Sequence, residues 1–234
     1  MIHPPSLLTI RRRFPRLDIE TIECFRNLPA SVVADAQEGR GGLDHRILPV
    51  TPDPRFVGSA LTARCGPGDN LAALAALELA QAQDIVVISC DGYDGVGVIG
   101  DRYAGMARNK GIAGIIVDGL VRDGPGIRQA GVPCYARGTS ASSAYSNGPG
   151  DVGLPIVLGG VRIDAGDLVL SDGEDLVVVS RERLPHVRAA LAQVKQNELE
   201  LDRAIADGQA GFEWVRSLVL SPQTRWIEEP ASPE

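Results

Sequence analysis

Two short, uninterrupted apolar runs lie in the middle of the chain, IVVIS at 85–89 and AGIIVDG at 113–119. A strand with such a run is buried on both faces, as in a parallel sheet covered by helices. Residues 101–110, between the two runs, have a helical pattern, and a further short helix is predicted at 124–130. This alternation of strands and helices predicts a mixed α/β fold built in layers.

A stretch without helical pattern follows the α/β part. Between residues 155 and 180 short apolar segments alternate with turn residues, which is typical of a β-meander. A long amphipathic helix is then predicted at 182–206. Near the amino terminus the pattern predicts a short helix at Ser31–Glu38 with Ser31 as its N-cap.

The chain has 234 residues, a length that fits one large domain. We predict three regions: an N-terminal arm at 1–17, an α/β domain with its C-terminal helix at 18–210, and a C-terminal tail at 211–234. The arm contains a basic run, Arg11–Arg13, which we interpret as a solvated or subunit-contacting segment.

The charge balance disfavours a nucleic-acid partner. Acidic residues number 30 and basic residues 23, for a net charge of −7, whereas a phosphate backbone requires a surplus of Lys and Arg. Aromatic residues are only 4% of the chain, too few for a platform on which bases stack. Glycine, by contrast, occurs 27 times, which predicts many tight turns or close backbone approaches.

Several further patterns bear on the compartment. The sequence contains no apolar stretch long enough to span a membrane, and its first residues lack the pattern of a signal peptide. The four cysteines are scattered and predict reduced, mostly buried thiols. The three histidines share no ligand spacing, which disfavours a histidine-based zinc site. We therefore expect a cytoplasmic protein with no membrane partner.

The segment 91–123 is the richest in chemically informative residues. A glycine-rich loop follows the first buried strand and opens a helix near Gly100, and a helix start offers N–H groups to an anion. The loop matches neither the dinucleotide fingerprint nor the P-loop.

The second buried strand is followed closely by Arg122 and Asp123. The carboxyl end of a strand is where α/β folds place their sites. A guanidinium binds a carboxylate or enolate oxygen, and an Asp can hold Mg²⁺ or Mn²⁺, which keeps several waters. The alternative interpretation is that Asp123 only caps the helix at 124–130. The residue types alone leave both interpretations open.

The sequence resembles the 4-hydroxy-4-methyl-2-oxoglutarate / 4-carboxy-4-hydroxy-2-oxoadipate aldolases, which share a fold with the regulator of ribonuclease E activity. The resemblance covers roughly residues 28–206. The segments that carry it are SVVADAQEG (31–39), GDRYAGMARNKGIAGIIVDGLVRD (100–123), GVPCYARGTS (131–140) and IVLGGVRIDAGDLVLSDGEDLVVVS (156–180). It implies a single-domain α/β/β sandwich of the swivelling, phosphohistidine-domain-like type.

The resemblance also implies roles for individual residues. Asp123 would be the only direct protein ligand of a divalent metal, Mg²⁺ or Mn²⁺, and Arg122 would bind the pyruvyl group and stabilise its enolate. Asp101 would hydrogen-bond a metal-bound water. The backbone N–H groups that would hold the pyruvate carboxylate belong to Gly100, Asp101, Arg102 and Tyr103. Arg102 and Tyr103 depart from the small aliphatic residues common in the family, which predicts a different pocket mouth.

A glutamate from a neighbouring subunit completes the site in the family. Glu198 is the first candidate for it and Glu200 the second, because both lie on the predicted C-terminal helix. The resemblance thus implies self-association as a trimer or hexamer.

The activity implied is that of a metal-dependent class II aldolase. It would cleave a 4-hydroxy-2-oxo diacid to pyruvate and a second oxo acid, and would decarboxylate oxaloacetate as a side activity. Lys110 and Lys195 are the only lysines and lie in polar, helical surroundings, which disfavours a Schiff-base aldolase.

Three other functions remain open at this point. A non-catalytic, protein-binding regulator of the ribonuclease-regulator type would share the fold, but that branch lacks the Asp that this chain keeps at position 123. A lyase or decarboxylase acting on a different 2-oxo acid would use the same site. A nucleotide-binding α/β protein is the least favoured, because the phosphate-binding fingerprints are absent.

Overall fold

The computed structural model describes residues 6–227, so residues 1–5 of the predicted arm and 228–234 of the predicted tail lie outside the described residues. The strands are β1 Leu8–Ile10, β2 Leu48–Pro49, β3 Arg55–Cys65, β4 Asp84–Ser89, β5 Gly97–Ile99, β6 Gly114–Val121, β7 Cys134–Thr139, β8 Gly150–Val152, β9 Ile156–Leu158, β10 Val161–Ile163, β11 Leu168–Asp172 and β12 Leu176–Val179. The helices are α1 Ile19–Phe25, α2 Ala30–Asp35, α3 Leu71–Leu79, α4 Asp101–Asn109, α5 Gly124–Ala130, α6 Leu184–Ala206 and α7 Glu213–Val219.

A central sheet runs in the order β1-β8-β3-β4-β6-β7-β2. Its middle strands β3, β4, β6 and β7 are parallel to one another, as the two apolar runs predicted. β11 joins the sheet by pairing antiparallel with β3, and β12 pairs with β11. β9 and β10 form a separate antiparallel pair.

The two faces of the sheet are covered differently. Along β4, Val86 and Ile88 pack with residues of α3, α4 and α5, whereas Ile85 and Val87 pack with residues of the strands β9 to β12. This alternation follows from the period of two along a strand. The protein therefore has a helical layer, a sheet and a second β layer, which confirms the mixed α/β fold with an α/β/β arrangement.

The N-terminal segment is held to this fold by backbone and side-chain contacts. β1 pairs parallel with β8. The Arg16 guanidinium donates through Nε and Nη2 to the two carboxylate oxygens of the buried Asp84, at 2.7 and 2.9 Å. Within residues 6–17 the predicted arm thus contributes a strand and a bidentate ion pair.

The chain divides into two compact units, Met1–Leu191 and Ala192–Glu234. The first contains the sheet and the start of α6, where Leu184, Val187 and Leu191 are buried. The second contains, among its described residues, the rest of α6 and α7. The division into arm, domain and tail at residues 17 and 210 stays a prediction. Among residues 6–227 no helix is both long and apolar enough to cross a membrane.

One helix start differs from its sequence prediction. α2 begins at Ala30, with Pro29 rather than Ser31 at the N-cap position. The Ala30 N–H donates to Oδ2 of Asp172 at 2.8 Å, so a carboxylate distant in sequence takes the place of the local cap. One short strand, β5, lies in the glycine-rich segment that the sequence predicts to be a loop.

Candidate active site

The short strand β5 brings two distant segments together. It pairs parallel with the end of β6, with Gly97 opposite Leu120 and Ile99 opposite Val121. The Arg122 N–H then donates to the Ile99 carbonyl at 2.9 Å. The residues that follow β5, which start α4, therefore lie beside the residues that follow β6.

Asp123 has an unusual backbone conformation for a residue with a side chain. Its φ is 55° and its ψ is 43°, in the left-handed region, where Asp and Asn occur more often than other residues with a side chain. It occupies the N-cap position of α5, but its carboxylate makes no capping hydrogen bond with any residue that the structure describes. Oδ2 instead accepts from Nε of Arg122 at 2.9 Å. Capping alone does not account for this carboxylate.

The predicted residues line one cavity of about 480 Å³. Its walls include Gly100, Asp101, Arg102, Tyr103, Arg122 and Asp123, together with Asn70 and Ser143. The Arg122 and Asp123 side chains are 41% and 45% exposed, so both remain accessible from the cavity. The structure thus brings together the six predicted residues of the first unit.

The start of α4 forms one wall of the cavity. The Asp101 carboxylate folds back on the helix start, where its Oδ1 accepts from the Arg102 N–H at 2.7 Å. An added Cβ at Gly100 would lie 2.9 Å from Cγ of Arg122 and 3.1 Å from Oδ2 of Asp123. Glycine at position 100 is therefore what allows the Arg122 and Asp123 side chains to approach this backbone.

Tyr103 does not shape the mouth of the cavity with its side chain. The side chain is buried, with the residue 4% exposed, and its hydroxyl donates to the Ala73 carbonyl at 2.9 Å. Burial also raises the pKa of this phenol well above its ordinary value. Because the side chain packs into the helical layer, the expectation of a different pocket mouth is wrong for Tyr103, and for Arg102 it stays a prediction.

The donor set fits a hard divalent cation. Asp101 and Asp123 both line the cavity, and carboxylate oxygens are the ligands that Mg²⁺ and Mn²⁺ prefer. Within the described part of the chain no group of three or more His, Cys, Asp or Glu residues is arranged to hold a metal. A cation that keeps most of its waters needs only one or two carboxylates, which is what this cavity offers.

A larger cleft of about 940 Å³ lies elsewhere, beside Asp44, Asp118 and Arg137. Its partly buried Arg137 is already paired, because the guanidinium donates to both Asp118 and Asp44. Hydrogen bonds from Arg46 hold the pKa of Asp44 well below its ordinary value. This mutual pairing makes the cleft a weaker candidate than the cavity at Arg122.

The glutamate candidates lie in the second unit. Glu198 and Glu200 are exposed on α6, and Oε1 of Glu200 accepts from Nε2 of Gln196 at 2.6 Å. The role implied for Glu198, as a residue from a neighbouring subunit, stays a prediction.

Ser143 is a polar residue of the cavity that sequence reasoning missed. Its Oγ accepts from Nη1 of Arg122 at 2.5 Å. It lies in the small, polar segment after β7, and nothing in that composition distinguishes it from its serine neighbours.

A mixed α/β fold with a polar cavity at the carboxyl end of a central strand defines a broad class of proteins. Comparison with known proteins narrows this class to one family. Residues 30–179 match the family model described as "RraA-like: Aldolase/RraA". The chain belongs to this family, which confirms the resemblance seen in its sequence.

Three relatives illustrate the range of the family. The chain is 33% identical over 190 residues to a protein of Halalkalibacterium halodurans named "Putative 4-hydroxy-4-methyl-2-oxoglutarate aldolase", covering 81% of this chain and 90% of that protein. The crystal structure of RraAS2 from Streptomyces coelicolor, called an unusual member of the RNase ES inhibitor RraA protein family, matches with a TM-score of 0.72 and 27% identity over 82% of this chain and 99% of that one. The structure of an uncharacterized protein of Pseudomonas syringae matches with a TM-score of 0.71 and 25% identity, covering 84% of this chain and 97% of that one.

Proposed function

We propose that this protein is a divalent-metal-dependent carbon–carbon lyase. Its reaction is the cleavage of a 4-hydroxy-2-oxo diacid to pyruvate and a second oxo acid, and it decarboxylates oxaloacetate as a side activity. The observation that carries the proposal is the conformation of Asp123, whose carboxylate lines the cavity beside Arg122 instead of capping α5. The name of the Halalkalibacterium halodurans relative supports the same reaction class.

The metal site in this proposal is centred on Asp123. Mg²⁺ or Mn²⁺, when bound there, would supply Lewis acidity toward the carboxylate and keto oxygens of a 2-oxo acid. One protein carboxylate suffices because the substrate and water provide the other oxygens.

Arg122 stabilises the charge that develops during the reaction. Cleavage of the bond between C3 and C4 leaves its electron pair on the pyruvyl group, where it delocalises onto the keto oxygen. A guanidinium already held beside that oxygen stabilises it by about 3 kcal/mol or more, the usual contribution of one fixed donor. The same charge arises when CO₂ leaves oxaloacetate, so one residue serves both reactions.

The start of α4 binds the substrate and moves the proton. The N–H groups from Gly100 to Tyr103 hold the pyruvyl carboxylate, because the first N–H groups of a helix lack backbone partners within the helix. The Arg102 N–H exchanges its hydrogen bond to Asp101 for one to the substrate. Asp101 accepts a hydrogen bond from the water that removes the proton of the 4-hydroxyl group. The oxygen of the 4-hydroxyl group becomes the keto oxygen of the second product, and the removed proton is returned to C3 of the pyruvyl group.

The proposal extends to assembly. A trimer or hexamer in the cytoplasm would let Glu198 of one subunit act near the cavity of the next. Size-exclusion chromatography with light scattering measures the assembly, and a monomer of undiminished activity would contradict this part of the proposal.

The direct test is release of pyruvate. Purified protein with Mg²⁺ or Mn²⁺ is expected to form pyruvate from oxaloacetate and from 4-hydroxy-4-methyl-2-oxoglutarate. EDTA and the Asp123→Asn substitution are each expected to remove the activity. Activity that survives either treatment would show that the metal mechanism is wrong.

The second candidate function is a non-catalytic regulator. The structural match to RraAS2 of Streptomyces coelicolor favours it, because that protein belongs to an inhibitor family. Folded protein that neither binds Mn²⁺ nor releases pyruvate from any 2-oxo diacid would favour the regulator over the lyase. If the protein turns over only 2-oxo acids other than oxaloacetate and 4-hydroxy-4-methyl-2-oxoglutarate, the result would instead favour a lyase that acts on a different substrate.

A further inference from the structure

Arg122 is held from two sides. Its Nε donates to Oδ2 of Asp123 at 2.9 Å and its Nη1 donates to Oγ of Ser143 at 2.5 Å. The Nη2 group makes no hydrogen bond with any residue that the structure describes. The guanidinium therefore contacts Asp123 through one nitrogen only.

Another arginine of the same chain shows the alternative geometry. Arg16 turns its Nε and Nη2 together onto Asp84 and engages both carboxylate oxygens, at 2.7 and 2.9 Å. Such a two-point pair is the preferred geometry between a free guanidinium and a carboxylate. Arg122 lacks this second bond to Asp123, its neighbour in the chain, and its other hydrogen bond is made to Ser143.

The segment that carries Ser143 is fixed independently of Arg122. The Asp69 carboxylate accepts from the N–H groups of Asn147 and Gly148, at 2.5 and 3.0 Å. The Asn70 N–H donates to the Tyr145 carbonyl at 2.8 Å. Closer to Ser143, the Ser142 carbonyl accepts from the Gly97 N–H at 2.9 Å. Bonds on both sides thus set the position of the serine before any ligand enters.

We propose that Ser143 is a positioning residue that tethers the Arg122 guanidinium and keeps Asp123 available for the metal. A guanidinium can only donate, so the Ser143 oxygen must accept and its own proton points elsewhere. Without this tether Arg122 is free to turn its Nε and Nη2 edge fully onto Asp123. Both carboxylate oxygens would then be engaged, in competition with a cation.

The tether also leaves Nη2 available to the substrate. A guanidinium held by Ser143 presents this group to a 2-oxo acid, and one turned onto Asp123 does not. The inference rests on the proposed function, because it gives Asp123 and Arg122 the roles argued above.

The test compares three variants by Mn²⁺ affinity and by kinetics. Ser143→Ala removes the acceptor, Ser143→Thr keeps a hydroxyl, and Ser142→Ala removes the neighbouring serine side chain, which lies outside the cavity. We expect Ser143→Ala to raise the Kd for Mn²⁺, measured by calorimetry with MnCl₂, by about tenfold, and to lower kcat/KM for oxaloacetate by about tenfold. A change of this size corresponds to the loss of one hydrogen bond to a charged group. Threonine is expected to restore both, and Ser142→Ala to match the wild type.

A purely structural role gives a different result. It would lower the melting temperature of Ser143→Ala and leave the Mn²⁺ Kd unchanged, which would overturn the proposal. Equal losses in Ser142→Ala, or no recovery with threonine, would also overturn it. Wild-type protein without Mn²⁺ binding or turnover would refute the proposed function itself, and the role of Ser143 with it. If the wild type binds Mn²⁺ tightly and is active, and Ser143→Ala has the same Mn²⁺ affinity and activity, only the role of Ser143 is refuted.

Discussion

Gly126 packs directly against Asp101: an added Cβ on the glycine would lie 2.5 Å from the Asp101 Cβ and 3.1 Å from its Oδ2. The two residues lie in the first turns of α5 and α4, so the starts of these helices meet at this contact. No real Cβ tolerates a carbon at this distance, and position 126 therefore has to be glycine for Asp101 to keep its place in the cavity wall.

The Gly126→Ala substitution is expected to displace Asp101. In the proposed mechanism Asp101 orients the water that removes the 4-hydroxyl proton, so we expect kcat/KM for 4-hydroxy-4-methyl-2-oxoglutarate to fall at least about tenfold, within the range attributed to general acid–base catalysis. Pyruvate release measured at several substrate concentrations checks this.

The matched control is Gly105→Ala, on α4. Nothing lies within 4 Å of an added Cβ there, so the substitution only improves helix propensity, by about 0.5–1 kcal/mol. The free energy of unfolding in urea is expected to rise while kcat/KM stays unchanged. Equal losses of activity in both alanine variants would contradict the Asp101 contact.

The left-handed backbone at position 123 has a separate signature in stability. Asp, Asn and Ala all place a Cβ near the backbone in this conformation, but the short polar side chains of Asp and Asn can hydrogen-bond locally and offset about 1 kcal/mol of that cost, which Ala cannot do. We therefore expect Asp123→Ala to be about 1 kcal/mol less stable than Asp123→Asn, although both lose the carboxylate. Urea unfolding of the two variants measures the difference, and equal stabilities would contradict the assigned conformation.

The cysteines differ in reactivity. Cys24 is exposed, whereas Cys65, Cys90 and Cys134 are buried. Burial raises the pKa of Cys65 and of Cys134 to about 12 and raises that of Cys90 as well, so these thiols are protonated and inaccessible at pH 8. We expect a thiol reagent to label only Cys24 in native protein and all four cysteines after denaturation. Native Cys24→Ser protein should remain unlabelled, and rapid labelling of a second thiol would argue against this burial.

The buried thiols also make stability depend on alkaline pH. In the unfolded chain a thiol ionises near pH 9, whereas in the folded chain the pKa of Cys134 is about 12. The unfolded state therefore releases its protons first, and stability falls as pH rises from about 9 toward 12. Tyr135, whose pKa burial raises to about 12, acts in the same direction. Urea unfolding at pH 8 and 10 measures the fall, which should be shallower in Cys134→Ala; an equal slope would contradict the assignment.

The sequence predicts the central elements of the fold well, because their signals are local. The apolar run at 85–89 became β4 with one added residue, and α5 has its predicted bounds. The start of α2 could not be predicted, because its cap is Asp172, which only the folded chain brings to Ala30. β5 was not predicted because a strand of three residues in a glycine-rich segment has too few side chains to show a period of two.

The candidate site was predictable in part for the same reason. Arg122 and Asp123 directly follow a recognisable strand, and Asp101 directly begins a recognisable helix. Ser143 was not predictable, since its place beside Arg122 depends on the β5–β6 pairing and on the bonds that fix the segment after β7. The conformation of Asp123 could not be read from its residue type either, because an ordinary N-cap Asp has the same sequence context.

The two ends of the main strand order are both short: β1 has three residues, and β2 has two, one of which is Pro49. A long, flat outer strand with free N–H and C=O groups is a template onto which another chain can add, and proline removes one such donor. Outer strands as short as these offer little to a misfolded neighbour. Deletion of the residues that form β1 would leave β8 as the outer strand, and because β8 is itself only three residues long, this end of the sheet would stay short.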